Sequence, residues 1–218
     1  MGRTARIISA GALLLCAAAC TGQAKPAPSA SGAALSDGQV RTIESELVQD
    51  EVADGHQPGG APVVAYRHGE AVYLLWLTTE QDLCQGDQDE DGGLGYGCST
   101  GWRPPTASTP GLETVWGPGM VGADALTVFL ADHEDMRSIS CGGVSTKLTR
   151  DGEFTTAAGQ TLSLYSYLTP WIPNGTLEAA VQLDGGPAVV ELPMANFSQS
   201  LQRTWLRQCD SQPATGAR

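Results

Sequence analysis

Four carboxylates occupy five consecutive positions in Asp87-Gln88-Asp89-Glu90-Asp91, and Gly92 follows. Side chains at alternate positions, here Asp87, Asp89 and Asp91, can converge on one hard cation where a glycine lets the chain turn sharply. The same run also reads as a solvated acidic tip. No basic residue lies between Arg67 and Arg103, so solvent or a cation must screen these charges. Cys84 and Cys98 flank the run and, with Cys141 and Cys209, leave four cysteines beyond Cys20. In an exported domain that even count reads as two disulfides with three connectivities open. Cys84–Cys98 is favoured because it closes a short loop between two strand candidates, which leaves Cys141–Cys209. Chain entropy gives the two roughly 3 and 4 kcal/mol. A zinc site competes, but no Cys-x-x-Cys pair exists and no histidine doublet accompanies the cysteines.

The Asp87-to-Gly92 spacing, with Leu94 where such loops carry an apolar residue, resembles the first half of an EF-hand calcium loop. That resemblance implies Ca²⁺ on Asp87, Asp89 and Asp91. It covers eight residues. Position twelve, which should be a bidentate glutamate, is Cys98, and no helix signal flanks the run. An EF-hand proper is therefore excluded, and a simpler Asp-x-Asp-x-Asp-Gly calcium loop stands against the solvated turn.

The chain has three histidines. His56 lies in a Gly/Pro loop, His68 at a hairpin tip, and His133 after a strand. His133 with Glu134 and Asp135 would suit a base and its orienter for Ser140, although solvated surface histidines are the simpler reading. Gly-x-Ser-x-Gly, His-Glu-x-x-His, phosphate-loop and dinucleotide fingerprints are absent. No catalytic residue is assigned, and the balance leans away from an enzyme.

The elements that must position these groups begin with a helix. Ser36-Asp37-Gly38-Gln39 has capping-box spacing, with Leu35 and Val40 placed for a hydrophobic staple. Val40, Ile43, Leu47 and Val48 make the apolar stripe, opposed by Glu44, Asp50 and Glu51, and Asp54-Gly55 supplies the stop. From Ala61 the pattern becomes β. Pro62 to Arg67 and Ala71 to Thr79 are joined across His68-Gly69, and 125–131 and 161–168 are further strands. Asp151-Gly152 and Gly185-Gly186 read as hairpin turns. Phe197, Leu201, Trp205 and Cys209 are spaced by four, which fits a helix or a last strand. Seven or more short strands with Gly/Pro turns and one N-terminal helix predict an all-β antiparallel sandwich or barrel.

The first residues carry two arginines, then an apolar run from Ile7 to Leu15, then Ala17-Ala18-Ala19-Cys20. The run is too short to span a bilayer and reads as a signal peptide over 1–19. Ala17-Ala18-Ala19-Cys20-Thr21-Gly22 resembles the lipobox of bacterial lipoproteins, which implies a lipidated Cys20. Such lipoboxes usually carry Leu where Ala17 stands. Cys16 follows leucines but has Leu15, a poor residue, directly before the cut. Ordinary secretion, with both cysteines merely apolar leader residues, is the alternative. Residues 20–35 form an Ala/Ser/Pro-rich tether, 36–210 one folded domain, and 211–218 a disordered tail.

The chain has 218 residues and a net charge of −12, which loss of Arg3 and Arg6 with the leader would deepen. Such a surface repels a phosphate backbone, so nucleic acid is excluded as a partner. The sequence thus predicts an exported protein, lipid-anchored on the outer face of a bacterial cell membrane. Its β domain would be a non-enzymatic binding or structural module for a protein or envelope component; the alternative is a small tethered hydrolase.

Overall fold

The computed structural model describes residues 35–106, 111–122, 124–132, 134–194 and 205–210. The expected leader, Cys20 and nearly all of the tether lie outside that range, as do His133, residues 195–204 and the 211–218 tail. Among the described residues the fold is all-β with a single helix, and its sheets stack without closing into a barrel.

The helix α1 (Asp37–Ala53) starts at the expected capping box, with Ser36 and Gln39 satisfying each other's backbone N–H groups. Leu35 and Val40 are both buried, as a staple requires. The first sheet is a meander of β1 (Val63–His68), β2 (Ala71–Leu77), β3 (Leu83–Gln88) and β4 (Leu94–Ser99). The second runs in the order β5 (Leu112–Val121), β6 (Asp124–Ala131), β10 (Thr161–Thr169), β9 (Thr149–Thr155). The third runs β13 (Gly186–Pro193), β12 (Thr176–Leu183), β7 (Asp135–Cys141), β8 (Val144–Lys147). These three sheets are antiparallel. A parallel pair, β11 (Ile172–Asn174) with β14 (Leu206–Gln208), departs from the antiparallel expectation and puts a short strand between Trp205 and Cys209, while Phe197 and Leu201 of that spacing lie outside the described residues.

Three apolar clusters separate the layers. Val40, Ile43 and Leu47 of α1 pack on Val72, Leu74 and Trp76 of β2. The opposite face of β2, with Tyr73, Leu75 and Leu77, meets Leu126, Val128, Leu130, Leu162 and Leu164 of the second sheet. The far side of that sheet, with Phe129, Tyr165 and Tyr167, meets Met136, Ile139, Leu177 and Val181 of the third. The order is helix, sheet, sheet, sheet. It explains why β2 and nearly all of β6 are buried along their length: both strands are covered on two faces, so neither alternates.

The hairpin expected at Asp151-Gly152 does not form. Strand β9 runs through both residues, with Asp151 at a bulge between the Leu164 and Tyr165 partners. Glycine is needed there because a Cβ at 152 would lie 2.5 Å from Val63 Cγ1, where β1 crosses β9. The dipeptide marks close packing between sheets. The hairpins expected at His68-Gly69 and Gly185-Gly186 do form, each one residue out of place: His68 ends β1 and Gly69-Glu70 makes the first turn, while Asp184-Gly185 makes the second and Gly186 opens β13.

Candidate functional site

The densest collection of chemistry-bearing side chains lies where α1 ends over the first sheet. Cys84 on β3 and Cys98 on β4 are direct cross-strand partners and are disulfide-bonded, with Cα atoms 4.0 Å apart. The second expected bridge, Cys141–Cys209, is also present and ties the segment after β14 to the end of β7. The expected loop between Cys84 and Cys98 is instead a tight hairpin, whose strands were masked by Gly86, Gly95 and Gly97.

Glu51 reaches the first disulfide. It sits one turn beyond Leu47 on the buried stripe, so its assignment to the polar face is corrected: it is 3% exposed. The helix settles this deeply because Gly86 faces it; a Cβ there would lie 3.1 Å from Leu47 Cδ1. Glu51 Oε2 is 3.0 Å from Cys98 Sγ. Burial pushes the Glu51 carboxyl above the usual carboxylate range, with His56 pulling the other way and Asp54 and Asp50 adding to the rise.

His56 arrives by the turn that ends α1, where its backbone N–H donates to Glu51 O at 2.9 Å. The following residues lie along the β2–β3 hairpin, with Thr79 N donating to Gln57 O and Gly59 N to Leu77 O. Ligating atoms of Glu51, His56, Cys84 and Cys98 all lie within 4.8 Å of one another. Asp82 Oδ2 stands 3.9 Å from His56 Nδ1, and Asp82 Oδ1 accepts from Gly101 N at 2.7 Å. The signal for Glu51 was its i+4 offset from Leu47. Nothing local pointed to His56.

The acidic run builds the β3–β4 turn. Asp89 Oδ1 accepts from Asp91 N at 2.9 Å and from Gly93 N at 2.7 Å, an arrangement that closes the hairpin. Asp87 belongs to β3 opposite Gly95, and its carboxyl is raised by burial and then by Asp89. Among the described residues, Glu51, His56, Cys84 and Cys98 are the one set of three or more candidate ligands gathered this closely; Asp87, Asp89 and Asp91 do not form another.

A second concavity of about 560 Å³ is lined by Asp132, Glu134, Asp135, Arg150, Glu153 and Tyr165 among others. Its charges are engaged. Glu134 accepts from Gly111 N at 2.6 Å, Asp135 pairs with Arg137 and accepts from Tyr165 Oη, and Arg150 pairs with Glu153. Ser140 lies on β7 between β12 and β8, while His68 closes the β1 strand at its hairpin. No protein-family model, curated protein or solved structure matches this chain.

Proposed function

We propose that the protein is an extracytoplasmic lipoprotein, anchored through lipid on Cys20, whose β domain is a non-enzymatic binding or structural module. The observation that carries this reading is the pairing of all four domain cysteines as two disulfides, behind an N-terminus with leader and lipobox spacing. Disulfides of this kind persist in oxidising compartments. A single acyl chain anchors weakly, and the two or three carried by such lipoproteins hold firmly. The partner is a protein or another envelope component.

Metabolic labelling with a fatty acid tests the anchor. Wild type takes the label and Cys20→Ala does not. Label retained by Cys20→Ala but lost from Cys16→Ala moves the anchor to Cys16, and an unlabelled wild type ends the reading. A tethered hydrolase is the second reading. It is supported by the carboxylates collected around the cleft of Asp132, Glu134, Asp135 and Glu153. Hydrolysis of an ester or glycoside panel that Glu153→Gln abolishes would favour it.

A further inference from the structure

The contact between Glu51 and the Cys84–Cys98 bridge is chemically unusual. A disulfide sulfur carries no proton, so the buried Glu51 carboxyl 3.0 Å from Cys98 Sγ can accept no hydrogen bond from it. A thiol at the same place would donate to that carboxylate, and a metal ion would be shared with it. Thiolates, an imidazole and a carboxylate are also a donor set that zinc accepts in tetrahedral sites. The four groups come from the end of α1, the turn after it, and paired strands. The fold therefore preorganises them, and they are already within 4.8 Å of one another. Cys98 and His56 are part-exposed, which provides entry, whereas Cys84 and Glu51 are buried. Asp82 Oδ2 stands 3.9 Å from His56 Nδ1, close enough for a small side-chain rotation to bring it to the ring nitrogen opposite a metal on Nε2, where an outer carboxylate commonly orients the imidazole.

We propose that Glu51, His56, Cys84 and Cys98 form a zinc-class divalent cation site that opens when the Cys84–Cys98 disulfide is reduced. This goes beyond the lipoprotein reading and does not depend on it. The reductant is a dithiol. Its two sulfurs become a disulfide as the Cys84–Cys98 bond breaks, and two electrons and two protons pass to the cysteines. The cation then displaces both thiol protons to solvent, along with any proton on Glu51, and binds two thiolates, the neutral imidazole and the carboxylate. A disulfide oxidant reverses the change: it takes the two electrons and, with two protons from solvent, becomes a dithiol, while the cation leaves and the Cys84–Cys98 bond re-forms.

Cobalt(II) is the probe, because tetrahedral thiolate coordination gives it visible and charge-transfer bands. The full exported protein is reduced with a trialkylphosphine, desalted without oxygen, and titrated with CoCl₂ beside the oxidised protein. The reduced protein is expected to bind one cobalt with thiolate bands, displaced by zinc, and the oxidised protein none. His56→Ala and Glu51→Gln, each first shown to melt like wild type when oxidised, should lose the tetrahedral spectrum. Asp82→Asn should keep it with affinity lower by about tenfold. Thiolate bands persisting in reduced Cys84→Ser/Cys98→Ser would assign the metal to Cys141 and Cys209 and overturn the proposal. So would a spectrum unchanged in His56→Ala and Glu51→Gln, no thiolate band in reduced wild type, or a reduced chain that unfolds even with the metal present.

Discussion

Asp89 contributes through its oxygen more than through its charge. One carboxylate oxygen holds two backbone N–H groups across the β3–β4 turn, and asparagine offers an oxygen at the same place. Asp89→Ala is expected to lower stability by about 1 kcal/mol in urea melts, and Asp89→Asn by less than about half of that. A calcium loop would behave differently. Millimolar CaCl₂ would raise the wild-type midpoint over EDTA, and Asp89→Asn would abolish the rise. A turn-building Asp89 gives equal midpoints in both buffers.

At the scale of elements, the crossing of β1 over β9 depends on one missing Cβ. The space a side chain at 152 would need is filled by Val63, with Cγ1 2.5 Å from the Cβ position. Gly152→Ala is therefore expected to destabilise by about 1–3 kcal/mol, as overpacking does. Trimming the neighbour should restore part of this. In a double-mutant cycle with Val63→Ala, the paired variant should be more stable than the sum of the single losses by about 0.5 kcal/mol or more. Strict additivity would mean that strand β9 meets no obstruction there. The disulfide across β3 and β4 acts at this scale too, since it joins residues already paired in the ladder and staples the hairpin beneath the end of α1.

For the whole molecule, burial of carboxyl groups sets an acid response. Asp151 is pushed up from 3.8 to about 6, mainly by burial, with hydrogen bonds from Ser166 opposing the rise. Burial also raises Glu51, Asp87 and Glu113. Between about pH 4 and about pH 6 the folded chain holds protons that the unfolded chain has released, so stability falls as pH rises through that window. Asp37, hydrogen-bonded to and attracted by Arg67, is lowered and acts in the opposite sense, but it is fully exposed and screened. The thermal midpoint should thus be higher near about pH 5 than near about pH 7, and Asp151→Asn should flatten part of the slope. A midpoint that drops steadily on acidification through this range would contradict the assignment. Relief of the −12 net charge works in the same direction, and the variant separates the two contributions.

Features under short-range control can be read directly from the order of residues. Ser36 and Gln39 cap a helix, and the glycines at 69 and 185 mark hairpin turns to within one residue. Apolar runs at 71–79 and 125–131 declare strands, and an even cysteine count in an exported domain points to two bridges. Hydrogen bonding over three or four residues and period-two or period-3.6 burial carry that information, so an all-β fold behind one helix was legible. Which residues share a site depends on how the layers pack. Asp151-Gly152 has the composition of a turn, yet Val63, nearly ninety positions earlier, makes that glycine a packing device. Asp87, Asp89 and Asp91 are spaced like ligands, yet the β3–β4 register assigns one to a ladder and another to a turn. Glu51, His56, Cys84 and Cys98 span almost fifty positions with no motif between them. They meet because Gly86 lets α1 settle on β2 and β3, and contacts at such separation depend on how layers stack, which no local pattern encodes.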